Sequence, residues 1–82
     1  MILVEVYSQH ECHLCNEAKN VLKKIQAFHP FELKEINIHE NDKYYNEFHE
    51  RIPVIFINKE FAFQHHVLEQ AFIKKLQSYG VQ

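Results

Sequence analysis

The chain holds a single glycine, Gly80, in 82 residues. Glycine is the residue that takes positive φ freely and lets backbone approach a ligand closely. Phosphate-cradling loops, dinucleotide fingerprints and nucleophile elbows need it at fixed places. None of those places is filled here, so nucleotide-loop enzymes and serine hydrolases fall away. The chain also lacks threonine and has one aspartate, Asp42, which argues against calcium loops.

The length allows one domain over residues 1–82. A chain this short buries only roughly 60–65% of the surface it exposes when unfolded, so its core must be efficient. The hydrophobic fraction is 46%, with 7 Phe and 4 Tyr, which suffices for a compact core and argues against disorder. Lys and Arg number 9 against 11 acidic residues, a net charge of −2. That balance gives no footprint for nucleic acid. The longest aliphatic and aromatic run, Val54–Ile57, is far too short to cross a bilayer. Met1 runs straight into Ile2-Leu3-Val4-Glu5, which is no signal peptide. A cytoplasmic, reducing location and a monomer are expected, with neither membrane nor nucleic acid as partner.

Hydrophobic patterning gives the element order. Residues 2–7 read as a strand covered on both faces. Leu14, Ala18, Val21, Leu22, Ile25 and Phe28 form one apolar stripe on a helix over about 12–28. Pro30 ends it. Residues 31–38 read as a second strand, charged enough for a sheet edge. Its alternation slips between Leu33 and Ile36, which predicts an irregularity or a late start. His39-Glu40-Asn41-Asp42 supplies caps for a short helix over about 42–49. That helix would put Tyr44, Tyr45, Phe48 and His49 on one side. Val54–Ile57 is the best candidate for a central strand. Asn58-Lys59 reads as a hairpin turn and Phe61–Phe63 as the returning strand. A last helix over about 66–79 presents Leu68, Ala71, Phe72, Lys75, Leu76 and Tyr79 inward, with Gly80 as its C-terminal cap. The order is β-α-β-α-β-β-α, an α/β arrangement whose first unit suits a parallel crossover.

The two cysteines lie in Cys12-His13-Leu14-Cys15. Alone, the spacing leaves a redox pair, half a zinc site and coincidence all open. Here the pair follows a strand and opens a long amphipathic helix. Helix N-termini carry unpaired N–H groups and partial positive charge, which stabilise a thiolate. A free cysteine with pKa near 8.5 is only about 5% thiolate near neutrality; lowered to about 7, it is roughly half ionised or more. Cys12, at or before the first turn, is the candidate nucleophile, and Cys15, one turn further in, the resolving thiol. A structural bridge is the poorer reading, since a loop of about four residues gains only roughly 2 kcal/mol before strain. Protonated His13 is a candidate stabiliser of the Cys12 thiolate, whereas Glu11 opposes it if close.

With Cys12-His13-Leu14-Cys15 and Ile52-Pro53-Val54 both in view, the chain resembles the glutaredoxin-like proteins of the thioredoxin fold, in particular a small group with a Cys-His-Leu-Cys type site. The resemblance covers essentially the whole chain. It implies a four-stranded mixed sheet in order 2-1-3-4 with helices on both faces, the first and last on one and the middle helix on the other. It implies a cis peptide bond before Pro53, which packs beside the cysteines, and a backbone at Ile52 that binds an extended substrate. It implies a thiol–disulfide oxidoreductase that reduces protein or low-molecular-weight disulfides, with no bound cofactor. Glutathione, as reducing cosubstrate, or a thioredoxin-reductase system would be the electron donor. Two departures bear on glutathione. The Tyr-Ser-Lys-Pro-Gly that commonly precedes the first cysteine is Tyr7-Ser8-Gln9-His10-Glu11 here, and the Gly-Gly before the last helix is replaced within Phe63-Gln64-His65-His66-Val67. Arg51 is a candidate positive charge near the site, and Tyr7 a candidate wall.

Two rival readings stand beside this one. His10, Cys12, Cys15, His65 and His66 include zinc-type donors, although neither a second Cys-x-x-Cys nor a spaced His-x-x-x-His is present; no metal is expected. A cluster bridging two chains through cysteines is the iron–sulfur form of that reading. The third class is a redox-silent binding module, since fold does not fix function. Two retained thiols argue against it.

Overall fold

The computed structural model describes residues 1–79. Its elements are β1 (Leu3–Ser8), α1 (His13–Gln26), β2 (Glu32–Asn37), a 3₁₀ turn (Ile38–Glu40), α2 (Asp42–Phe48), β3 (Val54–Ile57), β4 (Glu60–Gln64) and α3 (Glu69–Tyr79). The order β-α-β-α-β-β-α therefore holds. Gly80, the expected cap of the last helix, lies outside the described residues. Among those residues, no helix is long and apolar enough to cross a membrane.

The strands form one mixed sheet in the order β2-β1-β3-β4. β1 pairs in parallel with β2 and antiparallel with β3, and β3 pairs antiparallel with β4. The two central strands carry the β-branched residues and are covered on both faces. Val4 and Val6 of β1 with Ile55 and Ile57 of β3 pack against Ala18, Leu22 and Ile25 of α1 and Phe72 and Leu76 of α3. Tyr7, Val54 and Phe56 look the other way, into a smaller cluster with Ile38, Phe48, Ile52 and Cys15. α2 thus covers the face opposite α1 and α3.

The second strand starts one residue late, at Glu32, and carries no irregularity. β2 pairs with β1 without a break from Leu3↔Glu32 to Ser8↔Asn37. The pattern slips because Leu33 and Ile36 face opposite sides of the sheet. Glu35 takes the place of an apolar residue on the α1 side, where Lys19 and Lys23 reach its carboxylate at 3.4 and 3.8 Å.

Two further expectations are corrected, and β4 adds a feature that the sequence did not show. α1 stops at Gln26, where the Nε2 group donates to the carbonyl of Phe31 at 2.7 Å. Phe28 is consequently 78% exposed and Phe31, at 3%, fills the core instead. α3 begins at Glu69, not 66, and Leu68, which accepts its first helical bond from Phe72, points to solvent at 70% exposure. Val67 enters the core in its stead, and Ala71 is exposed. In β4 an extra residue, Ala62, falls between the pairs Phe56↔Phe61 and Ile55↔Phe63. An inserted residue reverses the facing of the residues after it. Phe63 therefore packs on Phe72 at 5.8 Å, while Phe61 lies over Phe56 on the opposite face and is 48% exposed. The Asn58-Lys59 turn closes the hairpin with φ of 50° and 72°, the left-handed pair such turns require.

Candidate active site

The site is built where β1 ends and α1 starts. Strand β1 delivers Tyr7 and buried Ser8; the loop then passes through Gln9, His10 and Glu11, the last with φ 56°. That left-handed residue turns the chain into the helix. Cys12 is the N-cap in extended conformation, and its sulfur accepts a hydrogen bond from the Cys15 amide at 3.2 Å. Sulfur thus stands where a serine or aspartate oxygen commonly caps a helix. The first turn contains no acidic side chain, so nothing there offsets the positive end of the helix dipole.

Cys12 and Cys15 are joined as a disulfide with Cα atoms 5.2 Å apart. The two residues differ in access. Cys12 is partly exposed, whereas Cys15 is 0% exposed and belongs to the smaller cluster with Ile52 and Val54. Cys12 packs against that same cluster from its edge.

The segment before β3 lies in this cluster too. The Ile52–Pro53 peptide bond is cis, and both residues are buried. Tyr7 packs against the same cluster as the cysteines and meets the rings of α2 there. Its ring lies 4.7 Å from Phe48, 5.2 Å from Tyr44 and 5.5 Å from Phe56. Burial raises its phenol above the usual 10.0, with smaller contributions from the charge of Glu5 and from Tyr44.

The remaining candidates lie further out. His13 is exposed and its Nε2 meets the Glu17 carboxylate at 2.9 Å, one turn along the helix. Glu11 is exposed. Arg51 is held between the rings of Phe48 and Phe61, 5.4 and 5.5 Å from their centroids. Its Nε donates to Gln64 at 2.9 Å. Gln9, the residue in place of lysine, accepts a hydrogen bond from His39 Nε2 at 3.0 Å. An open groove of about 250 Å³ runs from Leu14 between α1 and the His65–Leu68 segment. Among the described residues, no three His, Cys, Asp or Glu side chains are disposed to hold a metal ion. His65 instead points its ring at a backbone carbonyl, that of Glu50, at 3.1 Å. In the sequence His65 stood out as a zinc-type donor and as part of the stretch that replaces the Gly-Gly, not as a partner of that carbonyl.

The chain is similar to several solved structures. Protein Ne2328 from Nitrosomonas europaea is 26% identical, with a TM-score of 0.79 over 90% of this chain and 89% of that one. A structural-genomics protein from X. campestris is 16% identical, with a TM-score of 0.79 over 94% and 99%. Thioredoxin-2 of the malaria parasite is 17% identical, with a TM-score of 0.75 over 96% and 84%. The last two likenesses show the thioredoxin-like fold. None of the curated proteins compared with the chain matches it. The model of the glutaredoxin-like domain (DUF836) matches residues 3–77. Fold, cysteine spacing and sequence support a thiol redox role, and the chain belongs to the glutaredoxin-like domain family.

Proposed function

We propose that this protein is a thiol–disulfide oxidoreductase that reduces protein or low-molecular-weight disulfides. One observation carries the reading: the two cysteines at the start of α1 are unequally accessible, Cys12 partly open and Cys15 closed. In the reduced protein the Cys12 thiolate attacks one sulfur of the substrate disulfide. The substrate S–S bond breaks, its other sulfur leaves as a thiolate and takes up a proton, and a mixed disulfide forms. Cys15, deprotonated, then attacks the Cys12 sulfur. The mixed disulfide breaks, the second substrate thiol departs, and the Cys12–Cys15 disulfide remains. The substrate has gained two electrons and the protein has lost them.

The surrounding residues take supporting roles. The Ile52 backbone presents its polar groups to the extended substrate chain, and Pro53 fixes that segment beside the sulfurs. Tyr7 closes the site from beneath. Arg51 supplies positive charge at its α2 side. His13, engaged by Glu17, and Glu11 set the charge around the attacking sulfur. The dithiol is restored by glutathione or by a thioredoxin-reductase system, and the absence of lysine at Gln9 and of glycine at Gln64-His65 favours trying the second first. A cytoplasmic monomer fits this chemistry.

The test is a pair of substitutions assayed with a disulfide-containing peptide. Cys12→Ser abolishes turnover. Cys15→Ser accumulates a mixed disulfide that mass spectrometry detects at the mass of protein plus one substrate half. Full turnover by Cys12→Ser sinks the assignment.

A further inference from the structure

The turn after β4 does more than connect elements. His65 has φ of 67°, a left-handed conformation that a side chain with a Cβ takes against steric resistance. Such a residue persists where its surroundings hold it. Here they do so through one segment. The His65 amide donates to the carbonyl of Pro53 at 2.8 Å. Its ring Nε2 donates to the carbonyl of Glu50 at 3.1 Å. The neighbouring Gln64 accepts from Arg51 Nε at 2.9 Å. Three bonds therefore tie residues 64–65 to residues 50–53, on both sides of Ile52. A carbonyl oxygen only accepts, so Nε2 must carry a hydrogen for the ring contact to exist.

We propose that His65 is a positioning residue: its amide and ring clamp the Glu50–Pro53 segment so that the Ile52 backbone is held still for an extended polypeptide substrate. The use of that backbone rests on the oxidoreductase reading above; the clamp itself does not. The left-handed φ is what makes the grip two-sided. It turns the amide toward Pro53 while leaving the ring free to reach back to Glu50. A glycine would keep the first bond and lose the second. The ring bond matters because Ile52 lies in the small cluster with Cys15, where slack in the segment shifts the substrate against the sulfurs. Backbone contacts that hold the extended chain equally before and during the exchange raise KM when they are weakened.

Two variants separate positioning from mere stability. His65→Gly removes the ring but relieves the backbone, so folding stability is kept or raised while the clamp is weakened. His65→Gln puts an amide N–H near where Nε2 stands. With a disulfide-containing peptide as probe, His65→Gly raises KM about fivefold, the worth of one lost hydrogen bond, by more than any fall in kcat, and His65→Gln recovers part of it. Alkylation of reduced Cys12 by iodoacetamide proceeds at the parental rate. Amide exchange by NMR reads the clamp without any turnover: the Arg51 amide, bonded to the Phe48 carbonyl at 2.8 Å, exchanges several-fold faster in His65→Gly. Unchanged exchange at Arg51, or unchanged KM in a turning-over protein, overturns the proposal. Should the parent show no disulfide turnover, the oxidoreductase reading fails alone, and the exchange experiment still decides the clamp.

Discussion

Tyr7 is the residue at which the sheet, the aromatic cluster and the cysteine loop meet. Its phenol is held above 10.0 by burial first, then by Glu5 and Tyr44. The unfolded chain gives up that proton more readily. The resulting stability is fully present below about pH 10 and is lost as pH rises through the folded value. Urea midpoints are expected to fall as pH rises above about 10, and Tyr7→Phe to flatten that fall. A variant as alkali-sensitive as the parent contradicts this origin. Tyr79, whose phenol donates to Glu60 at 2.6 Å, is shifted in the same direction, but solvent screens it and its share is small. The position of Tyr7 was legible in the sequence because it nears the end of a strand just before the cysteines, and it packs in their cluster. His65 was not legible as a clamp. The signal available was the scarcity of glycine itself: turns needing positive φ fall on Glu11, Asn58, Lys59 and His65. Sequence marks Asn58 as suited to that. It does not say that His65 must be.

At the scale of elements, caps and strand faces decided what could be read. Asn41 was visible as a capping residue, and its Oδ1 accepts from the Lys43 amide at 2.8 Å to start α2. Asn41→Ala is expected to destabilise the protein by about 1 kcal/mol, measured by urea unfolding, with no effect on stability as the contrary result. A helix of 7 residues has little stability of its own, so loosening its start also loosens Phe48 against Tyr7. Element order and type were legible because α1 and β3 carry strong periodic signals. Facing was less so. One extra residue in β4 sends Phe61 and Phe63 to opposite sides, and spacing alone puts them together. A charged residue can also hold a core-side position when partners reach it, as Lys19 does for Glu35. Both effects depend on a neighbour distant in sequence.

At the scale of the molecule, the sheet divides the buried side chains into two clusters of unequal size. Phe72 is fully buried in the larger, with the rings of Phe31 and Phe63 each 5.8 Å away. Phe72→Ala is expected to cost about 3–5 kcal/mol. A domain of this size has about 4–12 kcal/mol in total. The thermal transition should therefore drop sharply or vanish, and a loss under about 1 kcal/mol would mean that the site collapses around the gap. The cysteines belong to the other side. The element order placed them after the first strand and at the start of the first helix from sequence alone, but their membership of the smaller cluster came only from the packing of α2. That separation leaves mutational drift two independent territories. Substitutions beneath α1 and α3 act on the larger cluster, while those beneath α2 act on the packing around the cysteines. Changes on opposite sides of the partition, with no shared neighbours, should combine additively rather than interfere.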